Sequence, residues 1–169
     1  MRRARLAAAP AVVWCCIFAA LHVFWALGGS AGLASSAGTE LAARRPVGFV
    51  LAGLWGVAAL LLAGGALIYR AATADMSRRV HRVSAGVLGV AGTGLVLRGA
   101  GVEALLLADA GIRSAVGPLE THWSLILWNP WFVIGGSLLI VTAVHTARIT
   151  GAGGQRLSVA TRLRPRPVG

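Results

Sequence analysis

The chain contains no lysine, only five acidic residues and only two cysteines in 169 positions. Charged residues amount to 12%, against roughly a quarter in soluble globular domains, which excludes an ordinary water-soluble enzyme or binding domain. The missing lysine reflects codon bias more than chemistry, since every one of the 16 basic residues is an arginine. Cys15 and Cys16 are neighbours inside an apolar run, so they cannot form a disulfide framework and read as thiols packed in a span. No pair of histidines has the spacing of a zinc-binding helix, no cysteine pair can chelate tetrahedrally, and nothing matches a phosphate-cradling loop. The sequence therefore implies no metal and no cofactor.

What is present is apolar. Hydrophobic residues make up 57% of the chain and the mean hydropathy is +0.76. Each helical crossing of a bilayer takes about 20 apolar residues, so most of this length is spent in lipid and little remains for a soluble catalytic domain. The formal net charge of +11 does not point to nucleic acid, because the arginines are not gathered on one soluble face and no recognition motif accompanies them. They sit between the apolar runs, where they act as topology signals.

Four spans follow, at about residues 6–28, 46–69, 83–108 and 130–147. The first succeeds the basic start Arg2, Arg3 and Arg5. Its rival reading is a signal peptide, with the small and polar stretch 28–38 as a cleavage region, but its apolar core exceeds the about 7–15 residues usual for such peptides. The second opens at Pro46 and closes at Arg70. The third is uncharged from Val83 to Leu97, then meets Arg98 and Glu103 before ending at Asp109; Gly99 and Gly101 loosen it there, as a hinge or a frayed end. In the fourth region the residue before a proline is pushed out of helical geometry, so Asn129 is expected to cap a helix whose first position is Pro130. That leaves 122–129 as an interfacial segment, with Trp123, Trp128 and Trp131 in an aromatic belt; a single kinked helix is the alternative.

Twelve of the 16 arginines lie at the N-terminus, in the loop 70–82 (Arg70, Arg78, Arg79, Arg82) and in the tail (Arg148, Arg156, Arg162, Arg164, Arg166). Positive charge is retained in the cytoplasm, so both termini are expected there, which requires an even number of crossings. The expected fold is thus an all-α integral membrane four-helix bundle over residues 1–149, followed by a disordered basic cytoplasmic tail, 150–169, lying near anionic lipid. Small residues at four-residue spacing, Gly48/Ala52/Gly56 in the second span and Ala85/Gly89/Thr93 in the third, are expected to let helices approach closely. Gly135 and Gly136 are expected to do the same in the fourth.

At about 1.5 Å per residue, His22 lies roughly 24 Å beyond Leu6 and Arg98 roughly 22 Å beyond Val83. They share a depth in the outer leaflet, with Trp25 one turn above His22, Glu103 farther out and the break at Asn129 close by. Asp109, Glu120 and His122 in the outer loop are placed to fold over this opening. His22, Trp25, Arg98, Glu103 and Asn129 thus form the candidate polar site, because ionisable groups within a membrane are costly and default to a functional reading. The bland reading is that Arg98 snorkels to the headgroups and His22 satisfies a backbone carbonyl. His81 and His145, at the cytoplasmic ends of helices, read as interfacial fillers.

The stretch His22-Val23-Phe24-Trp25-Ala26-Leu27-Gly28-Gly29 resembles the His-x-x-Trp-Ala-x-Gly-Gly signature of an uncharacterised bacterial family of small four-span membrane proteins, catalogued only as a domain of unknown function. Trp128-Asn129-Pro130-Trp131-Phe132 with Gly135-Gly136 is similar to the start of that family's fourth span, and Leu97-Arg98-Gly99 to the polar end of its third. The resemblance covers roughly Leu6 to Arg148. It departs at Asn129, where serine is expected, and in the outer loop. It implies a four-span protein of a bacterial inner membrane and brings no known activity, substrate or cofactor.

Three functional readings are open. The first is a non-enzymatic bundle that binds a lipid or a membrane partner, including a second copy of itself, supported by the dense small residues. The second is a membrane enzyme acting on an apolar or lipid-like substrate in the outer leaflet, with His22 as general acid or base and Arg98 stabilising charge. The third, a small-solute carrier or channel, needs a continuous polar path that the inner halves of the spans lack.

Overall fold

The computed structural model describes residues 2–74, 76–108 and 111–162, with side chains from Ala8 to Arg148. Among these residues there is no strand, and four helices are long and apolar enough to cross a membrane: Ala8–Ala26, Phe49–Thr73, Arg78–Leu107 and Pro118–Arg148. Their outward faces are as apolar as their core. Leu60 is 74% exposed, Val90 77% and Leu97 67%, an arrangement that water would penalise and hydrocarbon does not.

The first long helix, α1 (Arg2–Ala26), ends where Gly28 takes φ +107° and the Gly29 amide donates back to the Phe24 carbonyl. This left-handed glycine closes the helix as a side-chain-bearing residue would not. Two one-turn helices follow, α2 (Leu33–Ala37) and α3 (Thr39–Arg44). The second long helix begins with a wide π-helical stretch, Phe49–Gly56, and continues as α4 (Val57–Thr73). After a short turn, α5 (Arg78–Leu107) starts at Ser77, whose hydroxyl accepts from the Val80 amide. Arg78, Arg79 and Arg82 therefore stand on the first turns of α5 and Arg70 on the last turn of α4, where a loop was expected.

A second pair of one-turn helices, α6 (Ile112–Val116) and α7 (Pro118–Trp123), leads through a π-helical turn, Ser124–Trp128, into α8 (Asn129–Arg162). The expected start of this helix at Pro130 is corrected here. Asn129 has helical φ −65° and ψ −47°, and its amide donates to the Ser124 carbonyl five residues back, so one kinked helix runs from Pro118. Proline lacks the N–H and its ring collides with the carbonyl four residues earlier; the wider π turn just before Pro130 supplies the room. Residues 122–129 are thus helical and partly buried, with Trp128 7% and Asn129 1% exposed. At the other end, α8 continues past Ala147, so residues 150–162 of the expected tail are helical in backbone; residues 163–169, like Asp109, lie outside the described residues.

Two pairings organise the bundle: α1 lies along α4, α5 lies along α8, and α1 and α8 join the pairs. The α5–α8 seam depends on glycine. A methyl group on Gly92 would lie 2.7 Å from the Gly136 carbonyl oxygen, and one on Gly136 would lie 2.5 Å from that of Gly92, so the two backbones touch. Gly89 meets Ala143 in the same seam and Gly135 lies against Trp14 of α1. The other expected stripe is not used this way: Gly48 has open space around it, and Ala52 is exposed. The third helix neither hinges nor frays at Gly99 and Gly101. It runs on to Leu107, and Gly99 is buried against the Asn129 carbonyl of α8, 2.7 Å from where a methyl would sit.

The two corners that join the long helices repeat one another. Gly32 (φ 76°, ψ −9°), α2, Gly38 (φ 92°, ψ 149°) and α3 are matched by Gly111 (φ 74°, ψ −2°), α6, Gly117 (φ 93°, ψ 158°) and α7. In each, the serine three residues after the first glycine donates its hydroxyl back to that glycine's carbonyl: Ser35 to Gly32 at 2.9 Å and Ser114 to Gly111 at 2.7 Å. The chain is therefore built from two similar helical hairpins.

Candidate functional site

The polar residues singled out in the sequence gather at the corner end of the bundle in two linked groups. In the α5–α8 groove, Asn129 donates to the Glu103 carboxylate at 2.9 Å, and the Arg98 guanidinium donates to the Asn129 side-chain oxygen at 3.5 Å. Asn129 is almost fully buried, so its amide serves as the bridge between an acid and a base that are five residues apart on α5. Arg98 also covers the ring of Phe132 at 3.9 Å from its centroid, a cation–π contact.

His22 belongs to the other group. Its Nδ1–H donates to the Phe18 carbonyl at 2.8 Å; because a carbonyl only accepts, this bond places the proton on Nδ1. The imidazole meets the rings of Phe18 and Trp25 edge-on, at 4.6 Å and 5.1 Å between centroids. Phe18 in turn packs against Phe132 at 5.7 Å, so His22 and Arg98 are joined through two aromatic rings. Trp25 is buried and donates to the Ala31 carbonyl at 2.8 Å. Among the described residues, no three of the histidines, cysteines and acids lie close enough together to hold a metal ion.

The two corners touch each other at this end. The Glu120 carboxylate accepts from the Thr39 amide at 3.0 Å, tying one corner to the other. Arg45, counted in the sequence only as a topology signal, donates to the carbonyls of Trp25 and Gly29 at the end of α1. Arg113 donates to the Leu106 carbonyl at the end of α5, at 2.6 Å. Both cations thus sit on helix C-termini, where carbonyls lack internal partners and the helix dipole is negative. In the sequence they are two of the four arginines that lie outside the N-terminus, the segment 70–82 and the tail.

A separate apolar space lies away from this end. Although α4 and α5 are consecutive, they scarcely touch, and between them opens a crevice of about 550 Å³. Its walls are apolar: Leu60, Gly64 and Leu67 on one side, Val87, Ala91 and Gly94 on the other, with Trp14, Cys15 and Leu139 as floor. Gly64 and Gly94 both face open space. Nothing in the sequence marks this feature, because its walls are the same Leu, Ala and Gly that fill every span. Its volume lies within the roughly 300–1,000 Å³ of small-molecule sites.

Residues 15–139, more than half of the chain, match the family described as "Protein of unknown function (DUF3995)". No curated protein and no solved structure matches the chain.

Proposed function

The chain belongs to the DUF3995 family, and for this member we propose a non-enzymatic role: a four-span protein of a bacterial inner membrane, with both termini in the cytoplasm, that holds a lipid chain in the crevice between α4 and α5. The observation that carries this reading is the crevice itself, apolar on every wall and located along the membrane-spanning stretches of its helices. A gap of this kind in a bilayer is open to an apolar chain that fits it, because in lipid no hydrophobic drive closes the helices over it.

The enzymatic alternative built on His22 and Arg98 has less support. Asn129 ties Arg98 to Glu103 and Phe132 covers the guanidinium; these contacts suit groups that brace the corner end of the bundle. Lipid co-purifying with the protein in mild detergent tests the proposal. Wild type should carry bound phospholipid, and Gly64→Phe, which places a ring in open space within the crevice, should lose it while staying folded. A deletion strain whose lipid profile is restored by wild type and not by His22→Ala, at equal membrane abundance, would overturn the non-enzymatic reading.

A further inference from the structure

The geometry points to an anionic phospholipid as the occupant of the crevice, seated with its headgroup at the arginine-bearing end of α4 and α5. This inference rests on the lipid reading above and adds the headgroup charge and the leaflet. The crevice has two ends that differ in charge. At one end the helices that form its walls are joined by the turn after Thr73, and this end carries Arg70, Arg78, Arg79 and Arg82, all exposed. Arg70 stands three residues beyond the wall residue Leu67, and Arg82 five residues before Val87. At 1.5 Å per residue these are heights of roughly 5 Å and 8 Å above the apolar walls. A phospholipid whose acyl chain lies along Leu60, Gly64 and Leu67 therefore places its phosphate at the level of the guanidinium groups, which reach it on long side chains.

Among the described residues no acid pairs with the arginines at this end. The segment 70–82 holds four arginines against one acid, Asp75, which lies outside the described residues. The other acids that the structure describes, Glu40, Glu103 and Glu120, stand at the corner end of the bundle or on α5 beyond Arg98. Among the described residues the single ion pair is Arg44 with Glu40, also at the corner end. An anionic headgroup offers these four arginines a partner of opposite charge, whereas a zwitterionic one brings its own cation into the cluster.

The test uses the full chain in bilayers of equal phosphatidylglycerol and phosphatidylcholine, with retained lipid identified by native mass spectrometry. Wild type should retain phosphatidylglycerol over phosphatidylcholine by about tenfold, the size expected when one or two arginines act on an anionic headgroup. The preference should shrink as salt is raised. The combined Arg→Gln variant at positions 70, 78, 79 and 82 should still retain lipid but with a ratio near one, and Arg→Lys at the same positions should keep the preference. If the Gln variant fails to insert, the salt series and the Lys variant decide alone. Equal retention of both lipids by wild type, with loss in Gly64→Phe, refutes the anionic headgroup and leaves the lipid crevice standing. Lipid that persists in Gly64→Phe, no lipid in wild type, or a dimer mass in place of the lipid adduct refutes both, the last by assigning the crevice to a second copy.

Discussion

The contact between Gly92 and Gly136 gives the sharpest stability test. A methyl added by Gly136→Ala would lie 2.5 Å from the Gly92 carbonyl oxygen, 2.8 Å from Val96 Cγ2 and 2.9 Å from the Val96 amide. Carbon and carbonyl oxygen rest at roughly 3.3 Å at the closest, so α5 and α8 must part by about 0.8 Å. Two of the three obstacles are backbone and cannot rotate away. A gap of that size forfeits a quarter to a half of the dispersion energy along the seam, and in lipid there is no compensating hydrophobic drive to hold the helices together. Overpacking costs about 1–3 kcal/mol, and replacing a helical glycine by alanine returns roughly 0.5–1 kcal/mol; with two backbone obstacles that cannot rotate away, the cost lies toward the upper end of that range and the net loss is about 2 kcal/mol. The assay is equilibrium unfolding in mixed micelles titrated with dodecyl sulfate and followed by circular dichroism. Gly86→Ala and Gly101→Ala are the controls, since nothing lies within 4 Å of a methyl at either position, and they should unfold at or slightly above the wild-type midpoint. If Gly136→Ala unfolds together with these controls, the seam is not the close contact described.

Asn129→Ala removes the bridge between Arg98 and Glu103 and should cost about 1–3 kcal/mol in the same unfolding assay; an unchanged midpoint would mean that the bonds add nothing. Gly32→Ala and Gly111→Ala each force a left-handed backbone on a side-chain-bearing residue and should cost about 1–2 kcal/mol apiece, and a large inequality between them would break the equivalence of the two corners. Arg45→Gln should speed amide hydrogen exchange at the end of α1, where its guanidinium binds carbonyls, without changing topology. In a cysteine-free background, Ser36→Cys and Ala115→Cys should react with a membrane-impermeant maleimide in intact cells and Ala74→Cys only after permeabilisation. Labelling of Ala74→Cys in intact cells would invert the proposed orientation.

The four apolar helices were legible because hydropathy is a local property and each run is closed by charges such as Arg70 or by a corner glycine such as Gly28. The start of the last helix was not, for a physical reason. A small polar residue followed by proline is what a helix N-terminus needs, and it is equally what a helix shows where a π turn makes room for a proline ring. Tertiary contact decides between them, here the burial of Trp128 against Ser35 and of Asn129 between Arg98 and Glu103. Likewise, depth arithmetic placed Arg98 near the break before Pro130, but only the packing of α5 on α8 makes Asn129 a bridge. The stripe Gly48/Ala52/Gly56 had the same spacing as real contact glycines, and spacing alone does not say which helix, if any, lies opposite. The crevice left no trace in the sequence because it is formed by what α4 and α5 fail to do.

The repeated corners carry a consequence for that gap. The matching corners and pairings make α1 the counterpart of α5 and α4 the counterpart of α8, as in duplicated units. By this correspondence the flank between α4 and α5 matches the one between α8 and α1. There the counterpart is stoppered: Trp14 stacks on Trp131 at 5.8 Å, Phe18 meets Trp131 and Phe132 edge-on, and Gly135 yields its side-chain volume to the indole of Trp14. One of the two corresponding flanks is filled with the chain's own aromatic rings, and the other is the crevice.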